Sequence, residues 1–76
     1  MDDVITILNE IRPGQKFAGV ENFFEQGVLD SLDLTTLISA LESHYDIFID
    51  VNEIVAENFQ NLAAIKTVLA GKGVNV

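Results

Sequence analysis

The chain has no cysteine and no tryptophan, a single proline, a single histidine, and only four basic residues in 76. Without cysteine, neither a disulfide nor a thiolate metal site can hold the fold together. With one histidine, His44, a histidine-rich metal cluster is excluded, and His44 alone reads as a surface or half-buried helix residue. Four basic against twelve acidic residues give a formal charge of −8, so a phosphate backbone would repel the chain and nucleic-acid binding is not expected. No apolar run exceeds four residues, too short to cross a bilayer. The N-terminus lacks a basic region followed by an apolar stretch, so no secretory signal is read there and a cytoplasmic location is expected. What the chain does have is a hydrophobic fraction of 49%, well above that of a disordered acidic chain. Its length allows one domain with a small core, and a monomer is expected. The acidity keeps such a domain soluble and steers basic partners toward it.

The stretch Gly27-Val28-Leu29-Asp30-Ser31-Leu32-Asp33-Leu34 organises the rest. Apolar residues at 34, 37, 38, 41 and 45 recur at helical spacing, predicting a helix from Ser31 to Tyr45 with one buried face. Its opposite face carries Asp33, Thr36, Ser39, Glu42 and Ser43. Asp30 or Ser31 can serve as N-cap, and Asp30 with Asp33 has the spacing of a capping box. Ser31 therefore lies at the start of a helix, exposed, at the end of a loop.

Before this helix, Val4, Ile5, Leu8 and Ile11 predict an amphipathic first helix of about ten residues. Asp2 and Asp3 suit its positive end and Arg12 its negative end, and Pro13-Gly14 stops it. From Gln15 to Leu29 runs a long connection too apolar to be solvated throughout. It is expected to wrap the core, with a short helical turn near Glu21–Phe24. After the second helix, Ile47 and Ile49 should face inward from an extended connection, turning Phe48 outward. Partial burial against Tyr45 or the third helix is the expected setting of Phe48. Asp50 with Glu53 predicts a capped short third helix burying Ile54 and Val55, with Phe59 anchoring the turn after it. Asn61 caps a fourth helix through Leu62, Ile65, Val68 and Leu69, closed by Gly71. The expected fold is all-α: a right-handed four-helix bundle of three main helices and a short third one, with a long first loop. Residues 1–70 form the domain and residues 71–76 a flexible tail. Leu34, Leu37, Ile38, Leu41, Ile49, Phe59, Leu62 and Ile65 are the expected core.

Three roles are open to Ser31 on these grounds: nucleophile, acceptor of a modifying group, or plain helix cap. His44 is thirteen residues farther along the same helix, roughly 20 Å at 1.5 Å per residue, so it cannot serve Ser31 as a base. No catalytic residue is assigned. A helix N-terminus suits a phosphate ester, because free N–H groups and the helix dipole favour anions there. The twelve residues Asp46–Glu57 place acids at the first, fifth and last positions of a calcium loop. Phe48 at the third position and Val51 in place of the required glycine break the pattern, so no metal site is assigned.

Asp-Ser-Leu ahead of an amphipathic helix, with Glu57-Asn58-Phe59, Leu62 and Ile65 following, resembles the acyl carrier protein family and its peptidyl carrier relatives. The resemblance runs from about Glu21 to Ala70. It implies 4′-phosphopantetheine attached to Ser31 by a phosphopantetheinyl transferase, and an acyl or aminoacyl group carried on it as a thioester. By the same resemblance Asp30 helps hold the transferase's metal ion and coenzyme A, while Leu32 and Asp33, with Thr36 and Glu42 farther along the helix, meet partner enzymes. Carriers of fatty-acid biosynthesis place acids where this chain has Thr36 and Ser43. In Glu57-Asn58-Phe59 and the Gly27-Val28-Leu29-Asp30-Ser31 loop the chain is more similar to discrete carriers paired with an adenylating enzyme and a downstream acyltransferase or synthase, such as D-alanyl carriers of teichoic acid modification. An unmodified carrier-like module that binds a basic partner is the competing expectation.

Overall fold

In the computed structural model, which describes residues 2–75, the described residues contain four α-helices, one 3-10 turn and no strand. The elements are α1 (Asp2–Ile11), α2 (Ser31–Tyr45), the 3-10 turn Val51–Glu53, α3 (Ala56–Phe59) and α4 (Leu62–Gly71). Met1 and Val76, the last residue of the expected tail, lie outside the described residues.

Helices α1 and α2 pack on one another, and α3 packs on α4. Along α1, Val4, Ile7 and Leu8 are buried while Ile5 and Ile11 lie at the margin. Val4, Leu8 and Ile11 keep the helical spacing that places them on one stripe. In α2 the buried residues are Leu37, Ile38 and Leu41, with Leu34 and Tyr45 half-buried at the two ends. Polar contacts join the helices at both ends: Arg12 forms ion pairs with Asp30 and Asp33, and His44 Nε2 lies 3.3 Å from Asp3 Oδ2. Pairing each terminus of α1 with the opposite terminus of α2 fixes the two as antiparallel. Arg12 directly follows α1, at the negative end it was expected to suit, and its side chain also reaches the two acids at the start of α2.

The long connection contributes as much to the core as a helix. Phe17, Phe23, Val28 and Leu29 are buried, and Phe17 meets Phe23 edge to face with ring centres 5.6 Å apart. The expected helical turn is an isolated one: Gln26 N–H donates to the Asn22 carbonyl at 3.1 Å, and no helix follows. Asn22 Oδ1 caps it by accepting from the Phe24 and Glu25 amides. At Gly27 the backbone enters the left-handed region, φ 73°, which ends the turn and which a side chain would strain.

The third helix departs from expectation. Asp50 does form a capping box, accepting from the Asn52 amide at 2.9 Å while Glu53 Oε2 accepts from the Asp50 amide at 3.1 Å. The box closes only a single 3-10 turn. Two consecutive β-branched residues, Ile54 and Val55, then leave the helical region, and α3 starts afresh at Ala56. Asn58 Nδ2 bridges the break by donating to the Glu53 carbonyl at 2.8 Å. Val55 is exposed and does not supply the burial expected of it, whereas Ile54 is half-buried and packs against the core. Phe59, fully buried, ends α3 instead of following it. Phe48 points outward and stays 71% exposed, with none of the partial burial expected. Of the expected core, Leu34 and Leu62 are only half-buried, because each sits in the first turn of its helix.

Past Gly71, the Val74 amide donates to the Leu69 carbonyl at 2.9 Å, and Lys72 Nζ lies 2.8 Å from Glu53 Oε2. That ion pair holds the Glu53 carboxyl below its ordinary range. At the end of α2, Asp46 adopts a left-handed conformation, φ 52°, and its amide closes the helix on the Glu42 carbonyl. The Tyr45 hydroxyl is buried with no hydrogen-bond partner among the described residues, and burial raises its pKa.

Leu37 and Leu41 are wholly buried on the α2 face that meets the core. Truncating either to Ala is expected to cost about 2–5 kcal/mol, read by urea unfolding. A loss below about 1 kcal/mol at both would refute the register.

Candidate functional site

Val28 and Leu29 draw the chain into the core just before Asp30. Their amides both donate to the Phe23 carbonyl, at 2.8 and 3.0 Å, and Phe23 N–H donates to the Gln60 carbonyl at 2.6 Å. The loop is further held by Asn61 Nδ2 on the Glu21 carbonyl and by Asn22 Nδ2 on Gln60 Oε1. Ser31 thus emerges from an anchored segment.

Asp30 is the N-cap of α2. Its Oδ1 accepts from the Asp33 amide at 2.9 Å, and Asp33 Oδ2 accepts from the Asp30 amide at 3.1 Å. The short Asp side chain at the third helical position closes the box despite being a shorter partner than Glu. Ser31 follows as the first helical residue, exposed. None of the described hydrogen bonds engages its hydroxyl; only its carbonyl is used, accepting from Thr35 Oγ1 at 3.2 Å.

Arg12 completes the arrangement from α1. Its Nε donates to Asp33 Oδ2 at 2.7 Å and its Nη2 to Asp30 Oδ2 at 3.1 Å. The hydrogen bond and charge of Asp33, and then the charge of Asp30, raise the Arg12 pKa. Asp30 is held below its ordinary value of 3.8, first by the Asp33 amide and then by the Arg12 charge. Two carboxylates flank the Ser31 backbone, and one guanidinium pairs with both.

The residues singled out from sequence do not all share one setting. Asp30, Ser31, Leu32 and Thr36 are exposed. The Asp33 side chain is only 14% exposed, turned toward Arg12. Glu42, half-buried, accepts from the Ile49 amide at 3.0 Å and so ties α2 to the connection that follows it. His44 lies at the opposite end of α2 from Ser31, paired with Asp3 and stacked edge-on against Tyr45. Sequence reasoning missed Arg12, which lies 18 and 21 positions from its partners. The one signal was scarcity: four basic residues in the chain, one of them just ahead of the loop that ends at a pair of acids.

A family model described as phosphopantetheine attachment site matches residues 3–69. No curated protein and no solved structure gives a significant match.

Two outcomes test the clamp. Arg12→Gln is expected to speed hydrogen exchange at the Asp33 amide about tenfold while leaving Leu41 unchanged, since only the first turn loses support. Asn caps a helix as well as Asp does, so wild type and Asp30→Asn differ chiefly in charge. The folded-state pKa of Asp30 is depressed, so its ionised form stabilises the fold above 3.8 and that contribution is lost as pH falls through the lower folded value. The stability gap between the two proteins is therefore expected at neutral pH and should close below 3.8, as followed by urea unfolding across pH.

Proposed function

The chain belongs to the phosphopantetheine attachment site family, and on that premise we propose that Ser31 is the residue that carries the arm. Members of this family hold 4′-phosphopantetheine covalently and work with a phosphopantetheinyl transferase and with partner enzymes; as a class they are carriers and not catalysts. The observation that supports Ser31 is its setting: an exposed hydroxyl at the first position of α2, directly after the N-cap Asp30.

The residues present suit the group. A phosphodiester on Ser31 would lie at the positive end of α2, where amide N–H groups and the dipole favour an anion. Two acids beside it would oppose that charge, and Arg12, paired with both, offsets one of the two negative charges. Asp30, more than half exposed, is accessible to the transferase and suits a role toward its metal ion and coenzyme A. When bound, the arm supplies a terminal thiol on which an acyl or aminoacyl group is held as a thioester. The chain's own part is to keep Ser31 presented on a fixed helix start and to offer α2 as a docking surface. A tethered group then meets successive enzymes at high local concentration.

Aminoacyl cargo, loaded by an adenylating enzyme and passed to an acyltransferase or synthase, is favoured over fatty acyl chains by Thr36 and Ser43. Both are exposed and uncharged on the outer face of α2, where fatty-acid carriers place acids. A D-alanyl carrier is one such case.

Incubation with coenzyme A, Mg²⁺ and a broad-specificity phosphopantetheinyl transferase is expected to add the mass of one phosphopantetheine to the wild type and none to Ser31→Ala. An unchanged wild-type mass, with helicity intact by circular dichroism, would assign the chain to unmodified interaction modules instead.

A further inference from the structure

Arg12 is one of only four basic residues in the chain, and it grips two acids at once. It directly follows α1, where its amide donates to the Leu8 carbonyl at 2.9 Å and Pro13 comes next, so its backbone is anchored before the long connection begins. From there Nε donates to Asp33 Oδ2 at 2.7 Å and Nη2 to Asp30 Oδ2 at 3.1 Å. The two oxygens of Asp30 are thereby held by different donors, Oδ1 by the Asp33 amide at 2.9 Å and Oδ2 by the guanidinium. Capping α2 needs only the first of these. The terminal torsion of an aspartate is broad, so a carboxylate held through one oxygen can still swivel about that bond. A second donor on the other oxygen removes the swivel. Exposed pairs of this kind contribute little to stability, and what this one adds is geometry. The Asp30 side chain is fixed in this way while 56% exposed, and its backbone leads directly into Ser31.

We propose that Arg12 is a positioning residue for the loading of Ser31, acting through Asp30: its guanidinium sets the plane of the Asp30 carboxylate, so that this acid meets the transferase in one orientation. This role rests on Ser31 being the attachment site and on Asp30 serving the transferase's metal ion and coenzyme A. The two nitrogens of Arg12 that make these bonds are turned to the chain's own acids, and its influence passes through them. A lysine would keep the charge but offers one nitrogen in place of a planar fork, and it does not hold both carboxylates in the same geometry. A misplacement of about 1 Å caused by a distant substitution can cost about a hundredfold in rate, so a swivelling carboxylate beside the reacting hydroxyl has a measurable effect.

The test is a double-mutant cycle on the loading rate of the full chain with coenzyme A, Mg²⁺ and a broad-specificity phosphopantetheinyl transferase, followed by intact mass. Arg12→Gln is expected to lower kcat/KM about tenfold, chiefly through kcat, with its circular dichroism unchanged. Arg12→Met is the second variant should Arg12→Gln fail to fold, and Arg12→Lys should stay within about threefold of Arg12→Gln. Asp30→Asn, which keeps the cap, should itself load at least about tenfold more slowly, and adding Arg12→Gln to it should cost less than about twofold more. His44→Gln removes the other polar contact between α1 and α2 and should leave the rate unchanged. Independently of loading, the carboxyl carbon resonance of Asp30 at neutral pH should shift in Arg12→Gln and stay in place in His44→Gln. Additive losses in the cycle, a loss confined to KM, full recovery by Arg12→Lys, equal slowing by His44→Gln, or an unmoved Asp30 resonance in Arg12→Gln would each overturn the positioning role while leaving Ser31 as the attachment site. An Asp30→Asn chain that loads at the wild-type rate would overturn the role of Asp30 and with it that of Arg12. A wild type that gains no mass would overturn the carrier reading itself.

Discussion

Phe23 joins the two halves of this protein. Its ring fills the space between the helices, its amide bonds to Gln60 at the end of α3, and its carbonyl receives the two amides that lead into α2. Side-chain hydrogen bonds from Asn22 to Gln60 and from Asn61 to the Glu21 carbonyl reinforce the same junction. A chain this small, with no disulfide or metal, depends on burial for nearly all its stability, and one loop residue that uses its ring, N–H and C=O together does so efficiently. The position of Ser31 follows from this anchoring. Val28 and Leu29 are fixed by the Phe23 carbonyl, and Asp30 is the next residue along.

Ion pairs add orientation more than stability. Arg12 and its two carboxylates are partly exposed, and exposed pairs contribute little on their own. Their effect is to set the angle and register at which the first turn of α2 stands against α1. They also withdraw one acid from the surface. The net charge of the chain therefore overstates its freely exposed charge, because Asp33 and Glu42 both turn to internal partners.

Much of this was legible in the sequence where the determinants are local. The cap at Asp30 and the α2 register follow from spacing within a few residues, and so does the outward turn of Phe48 between two inward isoleucines. The apolar content of residues 17–29 announced a loop that belongs to the core. Determinants distant in sequence were not legible. Arg12 pairs across a loop whose path no local pattern reveals, and a cation at the end of α1 suits that helix equally well on paper. The third helix failed for the opposite reason. Its cap was read correctly, but a cap reports where a helix begins and not whether it continues, and Ile54-Val55 ended it after one turn. Burial of Leu34 and Leu62 was overstated because periodicity identifies a face without saying how far along the helix the neighbours extend.

The two ends of α2 differ in a way that bears on motion. At Ser31 every group of the capping box is paired and braced by Arg12. At Tyr45 a buried hydroxyl has no partner among the described residues, the helix stops through a left-handed Asp, and its link to α1 is an exposed His–Asp contact. Opening at that end would expose the Tyr45 hydroxyl, whereas opening at the serine would break the paired hydrogen bonds of the capping box. Fewer paired groups would break at the end remote from Ser31 than at the first turn of α2.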